Sequence, residues 1–244
     1  MSYTGLTPEQ RKVMLESAGV SSVDELFSDV PAEIQVKAIE GLPASLSEIE
    51  LERDIDGIEA SNRKFSKIFI GAGAYNHYIP SVVDEISSRS EFYTAYTPYQ
   101  PEVSQGTLAA IFEFQTMISM LTGLDITNAS MYDGATATAE AALMGIRTNR
   151  RGRVLVGRAV HPCYRQVLAT YAWAAGFETV EIPQRNGLTD VEKLKELIND
   201  NTSSVIVQSP NFHGFIEDIS AIGEITAGSS VLLITAVPEA MSMG

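Results

Sequence analysis

Residues 153–182 read RVLVGRAVHPCYRQVLATYAWAAGFETVEI, and this stretch decides the fold. Arg153 to Gly157 is a short β-rich run. Pro162 to Ala175 has helical character and opens on a proline, and Phe177 to Ile182 returns to strand character. The alternation continues downstream. Asp190 to Asn199 reads as a helix, Ser204 to Gln208 as a strand, Ser220 to Ala227 as a helix and Val231 to Thr235 as a strand. Strands alternating with helices predict a mostly parallel sheet covered on its faces. Val205-Ile206-Val207 is uniformly apolar, as expected of a strand buried on both sides. Ligands of open α/β sheets sit beyond the carboxyl ends of the strands. Three stretches fall there: Asp133 to Thr136, Ala159 to Pro162, and Ser209 to Gly214.

Upstream lies FYTAYTPYQPEVSQGTLAAIFEFQTMISMLTGLDITNASMYDGATATAEA, residues 92–141. Tyr93, Tyr96 and Tyr99 recur among Pro98 and Pro101, which lack amide donors and favour extended neighbours. Tyr93 to Glu102 is therefore expected to be an ordered, hydroxyl-rich loop. Tyr96 and Tyr99 are expected to be buried with bonded hydroxyls, because an unpartnered buried phenol costs roughly 1–3 kcal/mol. Ser104 is positioned to cap a helix carrying Leu108, Ile111, Phe112, Ile118 and Leu121 at helical spacing, read here as core. Gly123 closes that helix. A short strand is expected over Ile126 to Met131, then a turn centred on Gly134 and a small-residue helix from Thr138. The free amides of such a helix N-terminus form an anion site.

The first sixty residues read as helices. Thr7-Pro8-Glu9-Gln10 forms a capping box, and Ser22/Glu25 and Ser45/Glu48 repeat the pattern. Pro80 to Ser90 reads as a short helix. Gly71-Ala72-Gly73-Ala74-Tyr75 has two glycines, but Asn76 stands where a dinucleotide fingerprint needs the third, and no βαβ unit surrounds it. The expected organisation is a helical arm over 1–62 and an α/β domain over 63–244.

Of the 244 residues, 45% are hydrophobic and 20% charged, ordinary for a globular chain. The net charge of -14 argues against a nucleic-acid surface. Arg147, Arg150, Arg151 and Arg153 form the one basic cluster, read as the charged end of a helix. The single cysteine, Cys163, excludes an intrachain disulfide and reads as a small packing residue. His77, His161 and His213 lack ligand spacing, so no metal is expected. Without a signal pattern or a long apolar run, a cytoplasmic, membrane-free chain is expected.

The 92–106 run, followed by FQTMISMLTGLDITNASMYDGATATAEA, resembles the P-protein of the glycine cleavage system, in its split form as subunit 1. The resemblance covers nearly the whole chain. It implies an α/β fold of the fold-type I pyridoxal-phosphate class and assembly with a homologous subunit 2, in a heterotetramer. It further implies that the complete enzyme decarboxylates glycine with pyridoxal phosphate and passes the aminomethyl group to the lipoyl arm of the H-protein. Tyr96, Tyr99, Glu102 and Ser104 are the expected positioning groups. Gly134, Ala135, Thr136, His161 and Asn211 are the expected cofactor-binding residues.

A pyridoxal-phosphate enzyme holds its cofactor through a lysine Schiff base. The resemblance implies that this lysine belongs to subunit 2, and the positions of Lys12, Lys37, Lys64, Lys67, Lys193 and Lys195, none of which follows a late strand, agree with it. Val237 stands where the family pattern has an acidic residue before proline, and the family continues past Gly244, which points to a truncated form. Two other readings fit the residues: an independent lyase or transaminase of the same fold, and a non-catalytic structural or regulatory subunit.

Overall fold

A computed structural model describes residues 5–36 and 41–243. Lys37 and Gly244 lie outside the described residues. The chain forms two compact units, Met1–Lys67 and Ile68–Gly244.

In the first unit, helix α1 (Pro8–Ala18) starts from the expected box: the Thr7 amide donates to Gln10 Oε1 at 2.9 Å, and the Gln10 amide returns to Thr7 Oγ1 at 3.2 Å. Gly19 ends it in the left-handed conformation at φ 75°. Helix α2 (Glu48–Ser61) begins two residues later than the sequence suggested. Its box is Ser47 with Glu50, the Ser47 amide donating to Glu50 Oε2 at 2.9 Å. A two-residue shift keeps the S-x-x-E spacing, so the pattern alone does not choose between the two frames.

The second unit opens with α3 (Ser81–Ser87) and the single turn α4 (Ser90–Tyr93), with Pro80 just outside α3 as its N-cap. Helix α5 (Gln105–Thr122) ends on Gly123 as expected, but none of its residues is buried. The core reading of this helix is therefore overturned. Residues 126–131 form no strand. The segment is held to α5 by polar bonds instead: Gln115 Nε2 donates to the Thr127 carbonyl at 2.6 Å, and Thr127 Oγ1 donates to the Gln115 carbonyl at 2.7 Å.

Helix α6 (Gly134–Asn149) leads into β1 (Arg153–Gly157), α7 (Pro162–Ala175) and β2 (Glu178–Ile182). A two-stranded hairpin follows, β3 (Gln184–Arg185) and β4 (Leu188–Thr189). Next come α8 (Val191–Leu197), β5 (Thr202–Gln208), α9 (Ile219–Gly228) and β6 (Leu232–Ala236). The hairpin escaped the sequence reading although its turn is Asn186-Gly187, a strong short-range hairpin signal. Both residues take positive φ, 55° and 84°.

The main sheet is parallel throughout, in the order β2-β1-β5-β6. Alternate side chains go to opposite faces, as a period of two requires. Val154, Val156 and Ile206 join Ala139, Ala142 and Leu168 in one core cluster with α6 and α7. Leu155, Val205 and Val207 join Leu194 and Ile222 in another with α8 and α9. All seven residues of β5 are buried, the pattern of a strand covered on both faces. Small residues let α6 lie close to the sheet: a Cβ on Gly145 would sit 3.3 Å from Ser203 Oγ.

The basic cluster closes the base of this sheet. Arg151 Nη1 donates to the Thr202 and Ser230 carbonyls, each at 3.1 Å, and Arg153 Nη1 to the Leu197 carbonyl at 2.6 Å. Arg150 caps α6 in the left-handed conformation. Cys163 is exposed at the start of α7 rather than packed. Among the described residues, no helix is long and apolar enough to cross a membrane.

Candidate functional site

The strand order places a topological switch between β1 and β5. From β1 the chain passes through α7 to β2 on one side, and from β5 through α9 to β6 on the other. Connections that diverge in this way leave a crevice at the carboxyl ends of the two strands, where α/β proteins bind ligands. The loops after β1 and β5 are clipped together across it. The His161 amide donates to Gln208 Oε1 at 2.8 Å, and the Phe212 amide donates to the Ala159 carbonyl at 2.8 Å.

His161 is the N-cap of α7. Its Nδ1 accepts from the Cys163 amide at 3.1 Å, so in the neutral ring the proton sits on Nε2. The ring stands edge-on to Phe212, with centroids 5.0 Å apart at 87°, and tilted to Tyr164 at 5.2 Å. Asn211 is only 4% exposed. Its Oδ1 accepts from the His213 and Phe215 amides, and its Nδ2 donates to the Gly187 carbonyl and to Glu217 Oε1. Two acceptor sites and two donors are the whole capacity of a carboxamide. Asn211 is thus a brace for the loop, with no bond left for a cofactor. Buried Glu217, which the sequence reading missed, completes the brace by accepting from the Thr189 amide at 3.0 Å.

Asp133 to Thr136 does lie at a helix N-terminus, but its amides are not free. Asp133 Oδ1 accepts from Ala135 N at 2.8 Å and from Thr136 N at 2.9 Å, and the Thr136 hydroxyl donates to Oδ2 at 3.1 Å. The Thr136 amide above all holds the Asp133 carboxyl below its ordinary range. Tyr164 covers the turn: a Cβ on Gly134 would lie 2.2 Å from its hydroxyl oxygen. Burial pushes the Tyr164 phenol up, and the negative charge of Asp133 adds to this.

A cavity of about 950 Å³ opens beside these groups. Its wall includes His161, Tyr164, the 208–214 loop and the 71–75 segment. The glycine-rich 71–75 segment is therefore a cavity wall outside any βαβ unit. It is tied in by Glu239, whose Oε1 accepts from the Ala74 amide at 3.2 Å and whose Oε2 lies 3.3 Å from His77 Nε2. Tyr164, Glu239 and Gly71 to Tyr75 were not foreseen as site residues.

The 96–104 groups are not part of this cavity's wall. Tyr96 and Tyr99 are 80% and 78% exposed, with ring centroids 6.2 Å apart. Neither hydroxyl has a bonding partner among the described residues, so the expectation of buried, bonded phenols does not hold for this chain. Glu102 is exposed, and half-buried Ser104 is the N-cap of α5 without a side-chain capping bond.

Comparison with known proteins decides the family. The model of the glycine cleavage system P-protein matches residues 1–244. The chain belongs to the glycine cleavage system P-protein family. A probable glycine dehydrogenase (decarboxylating) subunit 1 from Carboxydothermus hydrogenoformans is 51% identical over 246 residues, covering 100% of this chain and 55% of that relative. The protein of the same description from Lysinibacillus sphaericus is 50% identical, covering 99% of this chain and 54% of its own length. A crystal structure of glycine decarboxylase (P-protein), in inhibitor-bound form, superposes at a TM-score of 0.88 with 42% identity, over 100% of this chain and 54% of that one. A sphingosine-1-phosphate lyase from Burkholderia pseudomallei shares the fold at a TM-score of 0.60, 16% identity and 84% coverage of this chain. The α/β architecture is thus the fold-type I one that the sequence implied. The chain spans about half the length of the curated relatives it matches.

Fold-type I members of this kind imply pyridoxal phosphate, and the residues present do not fit it. At the start of α6 the Ala135 and Thr136 amides already serve Asp133, which argues against the cofactor-binding role expected of those two residues. Among the described residues no lysine or arginine lines the cavity. Lys193 and Lys195 pair with Glu196 and Glu192 on α8, and Lys12 and Lys64 pair with Glu16 and Glu59 in the first unit. Val237, exposed beyond β6, offers no carboxylate. Of the expected cofactor-binding residues, His161 and Asn211 line the cavity, and Gly134, Ala135 and Thr136 do not.

Proposed function

We propose that this chain is part of subunit 1 of glycine decarboxylase. In this reading it supports pyridoxal-phosphate-dependent glycine decarboxylation and aminomethyl transfer to the lipoyl group of the H-protein, in the cytoplasm. Subunit 2 carries the Schiff-base lysine and the two subunits form a heterotetramer. The observation that carries the reading is the 51% identity, along the whole chain, to a probable glycine dehydrogenase (decarboxylating) subunit 1. That no lysine lines the cavity among the described residues supports placing the cofactor on the partner.

The 96–104 segment is proposed as a wall of the cleft that subunit 2 completes. Its exposed tyrosines support this, since rings with one polar end suit an interface that is partly apolar and partly wet. Tyr96, Tyr99, Glu102 and Ser104 then act as positioning groups. Residues 1–62 are proposed as an N-terminal helical arm.

The test uses full-length subunit 1 co-purified with subunit 2 and supplied with lipoylated H-protein, read by glycine–bicarbonate exchange. The complex should catalyse exchange, and Tyr96→Phe and Tyr99→Phe should leave assembly intact while lowering turnover. Unchanged turnover in both variants would remove the segment from the site. The filled amides of α6 favour one second reading, a purely structural subunit. Stable assembly without any gain in exchange over subunit 2 alone would select it.

A further inference from the structure

We infer that residues 71–77 are a movable wall of the cavity, a strap that the Glu239 side chain latches shut. The inference concerns this chain's own residues and does not depend on where the cofactor sits.

Two walls of the cavity are held in different ways. The 208–214 wall is braced at several points. Gln208 Oε1 accepts from the His161 amide, the Ser209 amide donates to the Ala236 carbonyl at 3.2 Å, and Asn211 spends its whole bonding capacity on the loop and its neighbours. Residues 71–77 belong to no helix or strand and are all exposed, although 71–75 line the cavity. Among the described residues, their hydrogen bonds to the rest of this unit all go to Glu239. The Ala74 amide donates to Oε1 at 3.2 Å, and His77 Nε2 lies 3.3 Å from Oε2. Nε2 also lies 2.9 Å from the Ala74 carbonyl, which can only accept. Nε2 therefore carries a proton, and the carboxylate has a second donor whether or not the ring is charged.

The latch is anchored and the strap is not. Glu239 stands just beyond β6 with its side chain 23% exposed, and its carbonyl accepts from the Ser242 amide at 3.0 Å. The strap has internal order instead. The Tyr75 hydroxyl donates to the Ala72 carbonyl at 3.0 Å, and the His77 amide to the Tyr75 carbonyl at 3.2 Å. The Tyr75 ring folds back so that a Cβ on Gly73 would lie 3.1 Å from its hydroxyl oxygen. A segment bonded within itself and tied outward at one side chain opens as a unit, ahead of the braced wall. Gly71 and Gly73 admit the backbone change that opening needs. Opening uncovers His161, Tyr164 and Phe212, which line the same cavity.

The experiment is hydrogen–deuterium exchange with mass spectrometry on full-length subunit 1, comparing peptides over 71–77 and 208–214. Glu239→Ala removes both ties. The Ala74 amide should then exchange on the order of tenfold faster, with 208–214 unchanged. Glu239→Gln keeps an oxygen for that amide, and His77→Ala keeps the Ala74 bond, so each should loosen the strap less. Access is read by carbethoxylation of His161 with diethyl pyrocarbonate, which should be faster in Glu239→Ala.

Wild-type deuterium uptake at 71–77 in Glu239→Ala would overturn the inference. So would an equal rise at 208–214, which marks general loosening, or a loosened strap with unchanged carbethoxylation of His161. If Glu239→Ala does not fold, Glu239→Gln and His77→Ala decide by the same signs. Glycine–bicarbonate exchange by the complex tests the proposed function separately, so either can fail alone.

Discussion

Helices α5 and α6 are neighbours in the chain, and α5 carries the larger side chains. Yet α6 buries Ala135, Thr138, Ala139, Ala142 and Gly145, whereas α5 buries nothing. The buried set of α6 recurs at three- and four-residue steps and forms one narrow stripe of small residues. That stripe meets the parallel sheet, and the fit is close enough for Gly145 to approach Ser203. On α5, Phe112 and Met120 are 66% and 79% exposed. Large apolar side chains make burial favourable, but burial needs a complementary surface, and of these two helices only α6 meets one among the described residues. The contrast extends to the loops. The 208–214 loop is braced by Asn211 and Glu217, while Tyr96 and Tyr99 stand in the open.

The largest effect should come from the sheet. Leu155→Ala deletes a fully buried side chain between β1 and the α8/α9 face, and should cost about 2–5 kcal/mol in denaturant unfolding. An effect comparable to a surface substitution would mean the sheet core is not the stable part of the molecule. Gly187→Ala should come next, at roughly 1–3 kcal/mol. Gly187 sits at φ 84°, and an added Cβ would lie 2.7 Å from the Phe215 ring, against the loop that shapes the cavity. Loss of stability without any change at the cavity would separate the hairpin from the site.

The Asp133 cap should contribute less, and only as an anion. Its folded-state pKa is depressed, so its stabilisation is present above the unfolded carboxylate pKa and fades as pH falls through the folded value. The stability gap between the wild type and Asp133→Asn should therefore narrow on acidification from neutral pH. A gap independent of pH would show that charge plays no part. The smallest effect is expected on α5, where Phe112→Ala in this chain should stay within about 0.5 kcal/mol. A cost close to that of Leu155→Ala would erase the contrast between the two helices.

Much of the architecture was legible residue by residue. Pro162–Ala175 and Arg153–Gly157 fall where the sequence places them, because a proline at the first turn and a β-rich run report hydrogen bonding within a few residues. The capping box at Thr7 and the closing glycine at 123 are of the same local kind. The 126–131 strand failed because apolar character alone does not supply a neighbouring strand. The family resemblance likewise rested on contiguous sequence.

The site was legible only as three separate stretches. Their meaning depended on atoms far apart in the chain. Gln208 bonds His161 across 47 positions, Glu239 bonds Ala74 across 165, and Tyr164 reaches back onto Gly134. The sequence determined the strands of the main sheet, the Thr7 cap and the family, since these follow from local hydrogen bonding, periodicity and matched runs. The tertiary structure decided that Asn211 braces instead of binds, that the α6 amides are already taken, and that the tyrosines of 96–99 remain uncovered. Each of these is a question of which distant group reaches a bond or a surface first, and no pattern along the chain encodes that competition.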